Sequence, residues 1–186
     1  MSSAPATATI PGYQAGTWKA GPEDCEVAFS VRFLTVGTVH GRFTGCSITL
    51  ATSEEPQGSA LTASIDVASI DTGNDKRDTH LRSADYLDAE SHPAMGYRST
   101  GIRPRDDGGW TVDGELSLHG VTRKVSLAVD VNGFGPGPAG GRRAAFTATA
   151  QIDRRDFGIT ARTDGGGVLV GNKVSISLAI QAVLHH

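Results

Sequence analysis

Alternation constrains this chain more than any other feature. From Glu26 to Phe33, Val27, Phe29, Val31 and Phe33 fall on one parity and Ala28, Ser30 and Arg32 on the other. The same period of two recurs at Leu61, Ala63, Ile65 and Val67, and at Trp110, Val112, Gly114, Leu116 and Leu118. It continues through Val121, Arg123, Val125, Leu127, Val129 and Val131, then at Phe146, Ala148, Ala150 and Ile152, and at Val174, Ile176, Leu178, Ile180 and Ala182. Successive side chains of a strand point to opposite faces, so each run predicts a strand with one apolar face. The runs are rich in β-branched and aromatic residues and end at Gly, Asn, Asp or Pro, as strands do. Ten residues at ~3.3 Å each span about 33 Å. Long one-faced strands bury that face against a second sheet or by curling the sheet on itself. The expected fold is therefore all-β, as a closed antiparallel barrel or a sandwich.

Two segments depart from the pattern. Gly41 and Gly45 interrupt the run from Thr38 to Leu50, and Ile48 and Leu50 fall on the opposite parity from Val39 and Phe43. A bulge or bend is expected there. Asp75 to Pro93, DKRDTHLRSADYLDAESHP, is dense in charge and does not alternate. It predicts a short helix or two over a sheet end, stopped by Pro93. The run FGPGPAGGRR reads as a turn between strands, and Gly165–Gly167 as another.

Length and charge bound the function. A chain of 186 residues is one ordinary domain with a core of its own. Residues 1–11, mostly Ala, Ser, Thr and Pro, read as a flexible tail, and 12–186 as the domain. Seventeen Lys and Arg against twenty Asp and Glu leave a net charge of −3, which gives no electrostatic case for nucleic acid. The N-terminus carries neither the basic residues nor the apolar run of a secretory signal, so a cytoplasmic location is expected. No stretch approaches the ~20 apolar residues of a membrane span.

Motifs for chemistry are sparse. Asp156-Phe157-Gly158 matches the kinase metal-binding triplet in letters, but the loops that give that triplet meaning are absent. It reads as a strand end where glycine supplies an unusual dihedral. Cys25 and Cys46 read either as buried small hydrophobes or, if neighbouring strands bring them close, as a redox or disulfide pair. His40, His80, His92 and His119 do not share the i, i+2 or i, i+4 spacing of ligand histidines, so no metal and no cofactor are expected. In Arg77-Asp78-Thr79-His80-Leu81-Arg82, the alternatives are a solvated helix face and a half-buried ion-pair network. In the second, Arg77 pairs Asp78 or Asp156.

Four blocks of the sequence, in order, are similar to a known family. They are VRFLTVGTVHGRF at 31–43, RDTHLRSADYLDAESHPAMGYRST at 77–100, VDGELSLHGVTRKVSL at 112–127 and DRRDFGI at 153–159. Together they resemble the YceI-like family of polyisoprenoid- and lipid-binding proteins. The resemblance implies an extended, lipocalin-like antiparallel β-barrel whose lumen holds a long isoprenoid chain. Eight or so strands closed at this size leave a lumen wide enough for one slim ligand. Gly41, Ala63, Gly114 and Ala148 on inward positions are expected to widen it. The candidate wall residues are Phe29, Val31, Phe33, Phe43, Ile65, Val67, Met95, Tyr97, Leu116, Leu118, Phe146 and Phe157. The charged segment becomes a lid, hinged near Gly73 and Gly96, with Leu81, Tyr86 and Leu87 closing on the ligand. Arg77, Asp78, His80, His119 and Asp156 form the polar mouth, and no residue is assigned to catalysis.

The expected function is to carry, transport or sequester an isoprenoid lipid such as a quinone or polyprenyl compound. A homodimer is left open. The alternatives are an enzyme acting on such a lipid through His80 or His119, and an unliganded structural barrel that binds other proteins.

Overall fold

The computed structural model describes residues 10–33, 37–138, 140–163 and 169–185. The strands, in chain order, are β1 (Gly16–Ala20), β2 (Cys25–Phe33), β3 (Gly37–Phe43), β4 (Cys46–Thr52), β5 (Ala60–Asp66) and β6 (Ile70–Asp71). The helix α1 (Asp75–Arg82) follows, and then β7 (Ala94–Pro104), β8 (Trp110–Leu118), β9 (Val121–Pro136), β10 (Arg142–Asp153) and β11 (Val170–His185). All pairings between named strands are antiparallel.

Pairing of β1 with β11 closes a ring of eight strands in the order β1-β4-β5-β7-β8-β9-β10-β11. The expected closed all-β barrel is the observed one. The remaining strands, β2, β3 and β6, extend the wall beyond that ring. The long β11 explains how: its last residues pair with β1, and the stretch from Val170 to Ile180 pairs with β2. β1 and β2 thus lie end to end along one partner. β3 and β4 do the same opposite them, since β2 pairs with β3 and β1 with β4.

The predicted bend between Thr38 and Leu50 is a full break at Thr44-Gly45, which makes two strands of one run. Gly45 fits because a Cβ there would stand 2.9 Å from Asp66 Cβ. The parity change follows from the break rather than from a bulge. Cys25 and Cys46 stand at the two matching breaks and form a disulfide, with Cα atoms 6.4 Å apart. Both are buried. The run from Leu61 also ends earlier than alternation suggests. Asp66 accepts a hydrogen bond from the Ala68 N–H and starts a single 3₁₀ turn at Val67–Ser69.

The charged segment forms one helix and then turns. Asn74 caps α1 by accepting from the Arg77 N–H, and the Ser83 N–H closes the other end on His80 O. Gly73, at φ +77°, supplies the left-handed residue that lets the chain enter the helix. The expected tail at 1–11 falls mostly outside the described residues. Ile10, however, borders the barrel interior.

Candidate functional site

The barrel encloses a cavity of about 250 Å³. Phe29, Val31, Phe33 and Phe43 line it from β2 and β3, and Ile65, Met95, Tyr97, Leu116, Leu118 and Phe146 from the rest of the ring. Leu81, Tyr86 and Leu87 reach it from α1 and the turns that follow. Two expected wall residues lie elsewhere. Val67 and Phe157 are each 1% exposed and belong to the packed core, outside the cavity lining. Each sits in a 3₁₀ turn at the barrel end, where strand parity no longer sets direction.

Two of the four small inward residues also behave differently from expectation. Ala63 and Ala148 do line the cavity. Gly41 instead receives the Phe29 ring, and Gly114 receives the Tyr97 ring, so neither leaves open space. With Gly114 out of its way, the Tyr97 hydroxyl crosses to β9 and donates to Val125 O at 2.8 Å. Burial, with Asp113 adding to it, pushes the Tyr97 phenol up to about 12.

The end opposite α1 is sealed by rings. Trp18, 0% exposed, meets Phe134 edge-on at 5.2 Å. Phe134 in turn meets Tyr13 at 5.4 Å and Phe146 at 5.6 Å. The Trp18 Nε1–H donates to Thr52 Oγ1 at 3.0 Å, and the Thr52 hydroxyl donates to Gln14 O at 2.8 Å. Of this seal, the sequence reading placed only Phe146 on the wall. The alternating runs of β1 and β4 are short, and Phe134 lies past the β9 bulge, where parity had changed.

Polar groups bordering the cavity are turned to the protein. Tyr86 donates to Thr163 O at 2.5 Å, and Tyr13 donates to Ser53 O at 2.5 Å. The Thr72 hydroxyl donates to Asp78 Oδ1 and accepts from Arg77 Nε at 2.8 Å. Arg154, 5% exposed, donates to Gly171 O at 2.8 Å, Ile159 O at 2.9 Å and Val170 O at 3.2 Å. Desolvation lowers its pKa from the ordinary arginine value. The buried arginine is therefore Arg154, which nothing in the sequence pattern singled out. It sits one residue after β10, where a solvent-facing charge is the usual expectation.

At the α1 end, Arg77 and Asp78 do not pair with each other. Both are fixed on Thr72: Asp78 also accepts the Thr72 N–H at 3.0 Å, and Arg77 Nη2 donates to Thr72 O at 2.9 Å. The Arg77 guanidinium lies 5.9 Å from the centre of the Phe33 ring. Asp156 is exposed, and its carbonyl, not its carboxylate, accepts from Arg123 Nε at 3.1 Å. His80 is within 2.9 Å of Asp85 Oδ2 and packs edge-on against Tyr86. His119 Nδ1 donates to Phe157 O at 3.0 Å. Gly96 is no hinge, because it is paired on both sides, with Ser64 and Ser117. The Asp156-Phe157-Gly158 triplet ends a 3₁₀ turn, with Gly158 at φ +74°.

Known proteins give the same picture. A model of the YceI-like domain matches residues 18–182. A UPF0312 protein of Pseudomonas putida is 34% identical over 134 residues, covering 72% of this chain and 70% of its own. Protein YceI of Escherichia coli is 32% identical over 158 residues, covering 84% and 80%. Among solved structures, Burkholderia cenocepacia BcnA superposes with a TM-score of 0.76 at 22% identity, over 88% of this chain and 99% of that one. A polyisoprenoid binding domain from Saccharophagus degradans, implicated in plant cell wall breakdown, superposes with a TM-score of 0.69 at 15% identity, over 92% and 100%. By sequence and by fold, the chain belongs to the YceI-like family.

Proposed function

We propose that this protein binds a long-chain isoprenoid lipid, a quinone or polyprenyl compound, and carries or sequesters it. One observation supports this most: the cavity is apolar and its bordering polar groups already have protein partners. Such a lumen offers a head group nothing and a hydrocarbon chain everything. Each buried CH₂ contributes about 0.8 kcal/mol, so a few prenyl units offset the cost of immobilising the chain. The aromatic seal at the far end makes the α1 end the way in. The ligand class named for the Saccharophagus domain agrees with this reading.

The segment from Asp75 to Pro93 acts as the lid. Its hinge is at Gly73 on one side and at the start of β7, before Gly96, on the other. The rival reading, catalysis through His80 or His119, has weaker support. His80 is engaged with Asp85 and Tyr86, and His119 with Phe157 O. The Cys25–Cys46 cross-link favours an oxidising compartment over the cytoplasm as the place of action.

The test is organic extraction of the purified protein followed by mass spectrometry. A stoichiometric polyprenyl or quinone species is the expected result. An empty lumen that also fails to take up a polyprenol overturns the reading.

A further inference from the structure

Asp88, His92 and His119 converge outside the cavity lining, with their ligand atoms all within 4.8 Å of one another. The histidine spacing in the sequence pointed away from metal because it compared histidines only with histidines. Asp88 and His92 are themselves four residues apart, and the His92 N–H donates to Asp88 O at 2.8 Å, closing a turn that sets both side chains near each other. His119 arrives from the turn between β8 and β9, and its ring stands 5.2 Å from that of His92.

We propose that these three residues form a binding site for a divalent transition-metal ion such as Zn²⁺. Two independent features carry it. The first is donor chemistry: two imidazoles and one carboxylate suit zinc and its neighbours, and three protein ligands leave coordination positions open. The second is orientation. A carbonyl can only accept, so the His119 Nδ1 bears the proton shared with Phe157 O, and Nε2 keeps its lone pair. Ligand histidines are held this way by their outer partners. Asp88 at φ 48° and His119 at φ 56° take the left-handed conformation that Asp and His adopt in turns, which fixes where the two side chains start.

Gly120 completes the setting. At φ +73° it turns the hairpin, and a Cβ there would stand 2.8 Å from His92 Cε1. Metal–ligand distances of roughly 2.0–2.2 Å require the three groups to draw in by about 1 Å, which side-chain rotation supplies. Asp88 follows Leu87 and His119 follows Leu118, and both leucines line the cavity. A bound ion would therefore tie the segment after α1 to the β8–β9 turn, with its open positions available to water or an oxyanion. The site does not depend on the lipid reading, since a metal can bind with the lumen empty.

The experiment is titration of the full, chelator-stripped chain with Zn²⁺ by calorimetry and with Co²⁺ by visible absorption, alongside thermal melts. One equivalent bound, a raised melting temperature and a d–d band are expected. His92→Ala and Asp88→Asn should each weaken binding about 100-fold or more, given that loss of an outer partner alone costs about 10–100-fold. Asn tolerates the left-handed backbone, so Asp88→Asn keeps the fold. Melts in chelator that match the parent would show that both variants fold. No stoichiometric uptake overturns the proposal. So does uptake that both variants retain and that His185→Ala abolishes.

Discussion

Gly114 and Tyr97 show how much one missing side chain decides. The strand pattern marked both as inward, and both are. What it did not convey is that one is the socket of the other. A Cβ at position 114 would meet the Tyr97 ring and stand 2.6 Å from Arg98 O. Gly114→Ala should destabilise the protein by about 2 kcal/mol in urea unfolding, as overpacking does. The hydroxyl also titrates. Its folded pKa of about 12 lies above the ordinary tyrosine value of 10.0, so the folded state keeps a proton that the unfolded state loses. The stabilisation is complete below pH 10 and disappears as pH rises toward 12. Stability measured across that window should fall in the parent and fall less in Tyr97→Phe. Asp78 illustrates the same limit of sequence. Its place in a charge knot suggested an arginine partner, but burial turned it onto Thr72. Asp78→Ala strands the Thr72 N–H and hydroxyl rather than a charge, so the expected cost is about 2 kcal/mol by urea unfolding.

Among the elements, the strands were the legible part. Alternation located β2, β5, β8, β9, β10 and β11 because a half-buried strand writes its period into its residues. β1 is five residues long and β6 two, too few for a period to stand out. The Cys25–Cys46 link was one of two open readings for a different reason. Its geometry comes from two chain breaks facing each other across a pairing that no local pattern encodes. Closing a loop of 21 residues, it should contribute about 3 kcal/mol. Replacing both cysteines by Ala, or reducing the parent with thiol, should lower urea stability by a similar amount. The charged segment was recognised as the exception to the sheet, but its anchors were not. Tyr86 is tied to Thr163 O and Arg82 Nε to Ala68 O, contacts 77 and 14 residues apart in sequence. If the segment is the lid, amide exchange from Asp75 to Ala89 should be faster in delipidated protein and should slow on adding a polyprenol. Equal exchange in both states would remove the lid from the account.

For the molecule as a whole, the ring closes by hydrogen bonds only on one level. Toward α1 the wall is continued by β2 and β3, and β3 pairs outward with β6 at Arg42 and Phe43 alone. From Gly37 to Gly41 its outer edge has no strand partner among the described residues. Thr72, just before the charged segment, lies against Gly41 of β3, and Arg77 of that segment lies 5.9 Å from the centre of the Phe33 ring on β2. A wall hydrogen-bonded all round would leave entry only through an end. Here, among the described residues, strand pairing lapses along the outer edge of β3 from Gly37 to Gly41. A pore makes a polymer reptate, tip first, so its uptake slows as the polymer lengthens. A slit lets the same polymer be laid in along its flank, all units at once. If the protein binds polyprenols and this unpaired edge opens as such a slit, association rates measured for polyprenols of increasing length should stay nearly level, while dissociation slows with each added unit.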